Sequence, residues 1–324
     1  MLQVSVNCQG RAIRFRKLGK TSLRVSIIGL GTYQFGGRWG KAFTQAEASE
    51  IIDTAQDAGI NLIDTAECYG MNQLSENLVG QAIASSRSHW VLATKFGHEK
   101  LSPTKNRPAY TAPEMLKQLE TSLRALRTDY IDLYQFHSGS NEAFDNDELW
   151  AALEKQQQAG KIRYFGISVS RKSQEWREHQ TQQASSVGAS TIQVKYNRLE
   201  RYAEEQVFPQ CLLQNLGVLA RVPLASGLLS GKYQEVKSFK ESEARASKYD
   251  SETFARMQAE IRDVLANELP PNATLPEYAL AWSLSHPAVS CVIPGCKTPD
   301  QVRMNARAAD LPMLAKPHPQ HWIE

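Results

Sequence analysis

Short apolar runs alternate with amphipathic segments throughout this sequence of 324 residues, and that alternation predicts an α/β fold. Strands that alternate with helices build a parallel sheet, and eight strand–helix units can be counted. No linker or shift in composition divides the chain. The pattern therefore favours one domain over residues 1–324, a closed (β/α)8 TIM barrel. Two doubly wound domains are the alternative.

Each predicted element has a local signal. The first is an N-terminal β-hairpin, in which residues 13–18 alternate between apolar and polar, residues 19–22 turn, and residues 23–28 alternate back. The barrel strands are short apolar runs, at 27–30, 61–63, 90–94, 130–135, 164–168, 191–194, 218–222 and 289–293. The helices have apolar residues at helical spacing, at 46–58, 75–84, 113–126, 147–159, 173–182, 204–216, 252–266, 276–285 and 298–308.

Two segments lack such a pattern. Residues 233–252 form a polar stretch after the seventh strand. Loops of this length are usually functional or disordered, so we expect either a flap over a ligand or a floppy surface loop. From residue 311 onward, Pro312, Pro317 and Pro319 predict an extended tail, because proline cannot continue a helix.

Composition excludes several classes of protein. The chain is 42% hydrophobic and 22% charged, and its net charge of +3 is too small to predict binding to nucleic acid or a membrane. Without a long apolar run or a secretory signal, a cytoplasmic protein is expected. The five cysteines form no CxxC pair, which argues against a disulfide framework or zinc site. No G-x-G-x-x-G or Walker A motif is present.

Four polar residues follow successive apolar runs, where parallel strands deliver side chains to one mouth. They are Asp64, Tyr69, Lys95 and His137. We expect the Lys95 ammonium to lower the pKa of the Tyr69 phenol, Asp64 to orient Lys95, and a neutral His137 to donate a hydrogen bond to a substrate oxygen. Together these four side chains can protonate an alkoxide as it develops on a substrate. Taken singly, each residue also fits a structural role, such as a helix cap or an ion pair.

The same residues lie in segments that resemble the aldo-keto reductase family. "GINLIDTAECYG" with "SENLVGQAI" resembles the first family signature, and "LRALRTDYIDLYQFH" resembles the second. "VPLASGLLSGKY" and "VIPGCKTPDQVRMN" resemble its cofactor-binding segments. The resemblance runs from Phe15 to Asn305 and keeps the family order.

This resemblance implies roles for the four strand-end residues. Tyr69 would be the general acid, Lys95 its partner, Asp64 the partner of Lys95, and His137 the donor that orients the carbonyl. It further implies a nicotinamide cofactor, usually NADPH, bound across the barrel mouth, and no metal. NAD remains possible.

The resemblance also implies a set of cofactor-binding residues. For the nicotinamide half they are Gly31, Thr32, Tyr33, Ser168, Gln193 and Arg221. For the pyrophosphate they are Leu224, Gly227, Leu229, Ser230 and Lys232. For the adenosine they are Gly295, Lys297, Thr298, Gln301 and Asn305.

Three positions depart from the family pattern. Val169 replaces an Asn that contacts the carboxamide, and Arg221 replaces a Tyr that stacks on nicotinamide. A guanidinium also stacks on aromatic rings, but its charge repels the oxidised cofactor, so Arg221 favours binding of the reduced form. Gln301 occupies a position where the family often has an Arg that contacts the 2′-phosphate of NADPH. Lys297 and Arg303 are then left to supply the positive charge near that phosphate.

The implied activity is NADPH-dependent reduction of a small-molecule aldehyde or ketone, by a monomer or weak homo-oligomer. Two alternatives stay open. One is an NAD-dependent sugar or polyol dehydrogenase. The other is a non-catalytic NADPH-binding regulatory subunit, like the potassium-channel β subunits.

Overall fold

The computed structural model describes residues 13–37, 40–233 and 250–314. Its strands, in chain order, are β1 (Phe15–Lys17), β2 (Arg24–Ser26), β3 (Leu30–Gly31), β4 (Leu62–Asp64), β5 (Val91–Phe96), β6 (His98–Lys100), β7 (Asn106–Pro108), β8 (Ile131–His137), β9 (Ile162–Ser168), β10 (Thr191–Lys195), β11 (Gly217–Arg221) and β12 (Val289–Ile293).

Eight of these strands form one parallel sheet. Their order is β3, β4, β5, β8, β9, β10, β11 and β12, so each strand lies beside its successor in the sheet. Parallel bridges from Ile28 to Val292 and from Gly31 to Gly295 connect the two outer strands. The sheet is thereby almost closed, and the predicted (β/α)8 barrel is confirmed.

The predicted N-terminal hairpin is also present, and it covers the end of the barrel opposite the mouth. β1 and β2 pair antiparallel. The amide of Ser26 donates to Asn61 Oδ1 at 2.8 Å, just before β4 begins. Arg16, which is 1% exposed, donates to the carbonyl oxygens of Leu284 (3.1 Å) and Val289 (2.6 Å). Burial lowers the pKa of Arg16 to about 9.

The helices follow the predicted positions closely. They are α1 (Gln45–Asp57), α2 (Leu74–Ile83), α3 (Ala112–Leu126), α4 (Asn141–Phe144), α5 (Asp147–Gln158), α6 (Gln174–Gln182), α7 (Ala203–Gln206), α8 (Phe208–Leu213), α9 (Ser251–Asp263), α10 (Leu275–Ser285) and α11 (Pro299–Arg307). Capping boxes built on Thr44, Thr111 and Thr274 fix the starts of α1, α3 and α10, because each threonine and a glutamate three residues later satisfy one another's backbone amides.

The structure differs from the sequence prediction in four places, one of which is the short helix α4, which was not predicted. The helix expected at 204–216 is split into α7 and α8, because Pro209 has no amide to donate and its ring excludes a continuous helix. The first barrel strand starts at Leu30, and Ile28 contributes a single bridge. The loop after β5 contains a small antiparallel hairpin, β6 with β7, that was not predicted.

Most of the predicted flap at 233–252 lies outside the described residues, as does most of the predicted tail. The part of the tail that is described contains a 3-10 turn, Pro312–Leu314. Across the described ranges, no helix combines the length and the apolar character that crossing a membrane would require.

Candidate active site

Three of the four predicted residues lie at or next to the ends of neighbouring strands at the barrel mouth. Asp64 is the last residue of β4, His137 is the last residue of β8, and Lys95 lies one residue before the end of β5. Lys95 Nζ donates to Asp64 Oδ2 at 2.8 Å, to the carbonyl oxygen of Thr65 at 2.6 Å and to the Tyr69 hydroxyl at 3.3 Å. All three protons of the ammonium therefore have acceptors, although Lys95 is 0% exposed.

Tyr69 is fixed by aromatic neighbours as well as by Lys95. Its ring meets Tyr33 edge-on with centroids 4.9 Å apart, and it lies 6.2 Å from the His137 ring. Gly36 lets the preceding loop approach this tyrosine, because a Cβ at that glycine would lie 2.7 Å from the Tyr69 carbonyl carbon. The phenol is thus held between the ammonium and the imidazole.

The electrostatics of Tyr69 differ from the expectation of a lowered pKa. Burial is the largest influence and, with the Asp64 carboxylate, raises the pKa of Tyr69 well above that of a free phenol, while Arg221 acts in the opposite direction. The carboxylate that orients Lys95 therefore also raises the pKa of Tyr69, which the sequence argument had not weighed. The phenol keeps its proton at neutral pH, as an acid waiting to donate must.

Asp64 also anchors a network across the barrel interior. Its Oδ1 accepts from the side-chain amides of Gln193 (2.7 Å) and Gln135 (3.2 Å). The Ser168 hydroxyl donates to Gln193 Oε1 at 3.2 Å. Strand register explains these contacts, because Lys95 pairs with Gln135 and Gln193 pairs with Ser168 in adjacent strands. Gln135, two residues before His137 on the same face, is a member of the site that the sequence argument missed.

The residues after β3 lie on the opposite side of Asp64. Thr32 is fully buried, and both its amide and its hydroxyl donate to the Asp64 carbonyl oxygen at 3.0 Å. The Ser75 hydroxyl donates to Thr32 Oγ1 at 2.9 Å. These hydrogen bonds from Thr32 therefore hold the end of β4 in place. Gly31 and Tyr33 beside Thr32 are half-buried.

Arg221, the last residue of β11, begins a loop with unusual backbone geometry. Its Nη2 donates to the Val169 carbonyl oxygen at 3.2 Å, so two of the three positions that depart from the family pattern are in contact. Positive φ angles follow at Val222 (57°), Ala225 (47°), Ser226 (57°) and Gly227 (97°). A β-branched residue with positive φ is strained, and such strain gathers at ligand sites. Successive backbone amides in turns of this kind bind anions.

Further along this loop, some of the predicted pyrophosphate residues form hydrogen bonds within the loop, and one is exposed. Leu224 and Ser230 hold the loop together, since the Gly227 amide donates to the Leu224 carbonyl oxygen at 2.8 Å and the Ser230 hydroxyl donates to the Gly227 carbonyl oxygen at 2.6 Å. Lys232 is exposed. The loop therefore offers backbone amides held in place by its own side chains, with an ammonium at its edge.

The predicted adenosine residues lie in the turn before α11 and within this helix. The Lys297 amide donates to Gln301 Oε1 at 2.8 Å, so Gln301 closes the turn into the helix. Arg303 forms an ion pair with Asp300 at 2.9 Å, so its charge is already paired within α11. Asn305 is buried, and its Oδ1 has no hydrogen-bond partner among the described residues.

These features fit a dinucleotide. An orphaned buried acceptor at Asn305 suits the amino group of an adenine, and a helix N-terminus with Lys297 suits a phosphate. The strained loop after β11 adds further backbone amides that can bind an anion.

A second cluster at the mouth was not predicted. His137 Nδ1 lies 3.8 Å from Cys68 Sγ and 3.7 Å from Glu67 Oε1, and the His98 ring stacks edge-on at 4.9 Å from the His137 ring. The atoms of Glu67, Cys68 and His137 that could ligate a metal all lie within 4.8 Å of one another. The cations of Lys95, Lys100 and Arg221 act on this cluster and disfavour a further cation, so we interpret it as a hydrogen-bonding group. In the sequence, this cluster could have been recognised from Glu67, which lies two residues before Tyr69.

Comparison with known proteins supplies the wider context. The sequence model of the aldo/keto reductase family matches residues 27–319. An uncharacterized oxidoreductase of Bacillus subtilis, YrpG, is 34% identical over 313 residues, and the match covers 92% of each chain.

Solved structures agree. Aldo-keto reductase AKR11C1 from Bacillus halodurans, in its holo form, has a TM-score of 0.75 and 31% identity over 92% of this chain and 91% of its own. The glycerol dehydrogenase AKR11B4 from Gluconobacter oxydans has a TM-score of 0.77 and 28% identity over 96% and 98%. The barrel, the strand-end residues and these similarities together show that the chain belongs to the aldo/keto reductase family and is an oxidoreductase.

Proposed function

We propose that this protein reduces an aldehyde or ketone to an alcohol with NADPH, and that Tyr69 is the general acid. The observation that carries the proposal is the position of Lys95 Nζ, which contacts both Asp64 Oδ2 and the Tyr69 hydroxyl inside the barrel mouth. With His137 beside Tyr69, this arrangement places a proton donor, a cation and a neutral hydrogen-bond donor around one point.

In the proposed reaction, His137 donates a hydrogen bond that orients the carbonyl oxygen, and Tyr69 gives that oxygen its proton. A bound reduced nicotinamide supplies the hydride. Lys95 stabilises the phenolate left on Tyr69, and Asp64 holds Lys95 in place and charged. No metal is needed, because these four side chains meet the charge that develops on oxygen.

The cofactor would be held by three groups of residues. The nicotinamide half would lie against Gly31, Thr32, Tyr33, Ser168, Gln193 and Arg221. The pyrophosphate would meet the loop of Leu224, Gly227, Leu229, Ser230 and Lys232. The adenosine half would meet Gly295, Lys297, Thr298, Gln301 and Asn305, with Lys297 toward the 2′-phosphate. The Gln193 amide contacts Asp64, so binding of a carboxamide there would require Gln193 to share or exchange that bond.

A second candidate is oxidation of a polyol or sugar with NAD. The similarity to the Gluconobacter oxydans glycerol dehydrogenase supports it. Against it stands Arg221, whose guanidinium at the nicotinamide position would repel the positive ring of an oxidised cofactor.

The decisive experiment compares both directions in the wild type and in Tyr69→Phe. We expect oxidation of NADPH with an activated aldehyde to exceed glycerol oxidation with NAD, and Tyr69→Phe to lose about 10²–10⁴-fold in kcat, as for removal of a general acid. Quenching of intrinsic fluorescence by NADPH checks that the variant still binds cofactor.

Each contrary outcome has a meaning. Full activity in Tyr69→Phe would contradict the assignment of the acid. Faster glycerol oxidation would favour the polyol dehydrogenase. Tight NADPH binding without reduction of any carbonyl would favour the non-catalytic regulatory subunit.

A further inference from the structure

His137 has two ring nitrogens, and a neutral imidazole carries a proton on only one of them. Burial lowers the pKa of His137 well below its ordinary value, so the ring is neutral at physiological pH. Its Nδ1 faces the protein, between Cys68 Sγ at 3.8 Å and Glu67 Oε1 at 3.7 Å. Nε2, on the opposite edge of the ring, is therefore the nitrogen left for a substrate. It can donate only if Nδ1 accepts.

The neighbours of Nδ1 decide which tautomer forms. Glu67 is 4% exposed, its Oε1 accepts from the His98 amide at 3.0 Å, and its Oε2 has no partner among the described residues. An ionised Glu67 could only accept, and would draw the proton to Nδ1. A protonated Glu67 has a proton to give, and Oε2 is the oxygen with no other bond. The terminal torsion of a carboxyl group is soft, so the protonated carboxyl can turn its proton toward Nδ1.

We propose that Glu67 is a positioning residue that donates to the single lone pair on Nδ1 of His137 and thereby keeps the His137 proton on Nε2, facing the substrate. This inference rests on the proposed reductase function, because it explains how His137 becomes a donor to a carbonyl oxygen. In this proposal Glu67 acts through His137 alone.

The protonation of both neighbours agrees with their surroundings. Burial raises the pKa of Glu67 to about 7 and that of the Cys68 thiol well above its ordinary value. Lys95 and His98 favour the ionised form of Glu67, but burial outweighs them. The titratable groups that act on Glu67, or on which it acts, are Glu76, Lys95, His98, Cys68, Tyr110 and Tyr134.

A pH dependence follows from the sign of that shift. Because the pKa of Glu67 is raised, the carboxyl is protonated below about pH 7 and ionised above it. Ionisation converts a donor into an acceptor, moves the His137 proton to Nδ1 and leaves Nε2 unable to donate. We expect kcat for carbonyl reduction to fall as the pH rises through about 7, while KM for NADPH stays constant.

The matched variants are Glu67→Gln and Glu67→Met. Gln keeps a donor that cannot ionise, so kcat at about pH 6 should stay within ~3-fold of the wild type and the fall above neutrality should disappear. Met removes the donor, so kcat should drop ~10-fold or more at every pH. If Glu67→Gln keeps the alkaline fall unchanged, Glu67 does not cause it and the proposal is overturned.

A measurement of the His137 tautomer in the wild type needs no turnover. With ¹⁵N-labelled histidine, long-range ¹H–¹⁵N correlation spectra distinguish the protonated nitrogen of each ring, and His137→Asn assigns the signal. We expect Nε2–H below neutrality and Nδ1–H above it. Nδ1–H throughout would overturn the proposal. A protein that shows the expected tautomer but reduces no carbonyl would instead refute the proposed function alone.

Discussion

Two fully buried cations lie at opposite ends of the barrel, and they are stabilised in different ways. Arg16, at the end covered by the hairpin, donates to the backbone carbonyl oxygens of Leu284 and Val289. Lys95, at the mouth, has a carboxylate, a carbonyl oxygen and a phenol as acceptors.

The difference separates structural from chemical use of a buried charge. Carbonyl oxygens accept hydrogen bonds but do not titrate, so the Arg16 contacts can only tie the hairpin to β12 and α10. Two of the three acceptors of Lys95 are ionisable, so a proton can move within that group. Ionisable partners, rather than burial itself, mark the end of the barrel where we propose that chemistry occurs.

The largest effect is expected for Lys95→Met. Loss of the ammonium removes the stabilisation of the Tyr69 phenolate, so kcat for carbonyl reduction should fall about 10³-fold. It also leaves the Asp64 carboxylate buried without its cation, which costs about 3–5 kcal/mol of unfolding free energy. Steady-state assays and urea unfolding measure the two effects.

The matched control is the double variant Asp64→Asn with Lys95→Met. It should recover much of the lost stability without recovering kcat, because the uncompensated charge is gone while the phenol still lacks its cation. Recovery of activity in this variant would show that Lys95 acts through folding alone and would erase the contrast with Arg16.

Arg16→Met should lower stability without changing the chemistry. The substitution leaves two carbonyl oxygens without donors, which costs about 1–3 kcal/mol for each buried group left unpaired. The urea midpoint should fall, while kcat and KM measured below the unfolding transition should match the wild type. A large loss of kcat in folded Arg16→Met would contradict a purely structural role for the hairpin end.

Arg221→Tyr tests a cation at the mouth that is only half-buried. Removal of the guanidinium should relieve repulsion of the oxidised ring, so the ratio of NADP⁺ to NADPH affinity should rise about 10-fold. Fluorescence titration with each cofactor form measures that ratio. An unchanged ratio would mean that Arg221 contacts Val169 without influencing nicotinamide.

Lys297→Met should have the smallest effect. A single ammonium at the helix start meets one phosphate in solvent, so KM for NADPH should rise about 5- to 10-fold while KM for NADH stays constant. Equal weakening of both cofactors would remove Lys297 from the 2′-phosphate. Together the four variants test whether the loss of a cation lowers kcat only where the hydrogen-bond partners of that cation are ionisable.

Much of the site was predictable from the sequence, because parallel strands deliver their last residues to one mouth. Asp64, Lys95 and His137 could be placed by strand order alone. The direction of the Tyr69 pKa shift could not, since it depends on burial and on how near Asp64 lies. Glu67 was hidden for a similar reason: its importance comes from an orphaned oxygen beside His137, and orphaned atoms exist only in three dimensions.

The fold shows the same division. Strand–helix alternation predicted the barrel and most helix bounds within a residue or two. It did not predict the β6–β7 hairpin, whose residues are mainly polar and whose pairing depends on a local turn. The break between α7 and α8 was present in the sequence at Pro209, and propensity along 204–216 outweighed it in the prediction.

The bonds from Arg16 to Leu284 and Val289 join residues 268 and 273 positions apart. The bridges from Ile28 to Val292 and from Gly31 to Gly295 are similarly distant. During synthesis, the first barrel strand therefore cannot pair with the last one until nearly the whole described chain has left the ribosome. Until then one edge of β3 is unpaired and the sheet of the nascent chain is open. We therefore expect closure of the barrel to be among the last folding events.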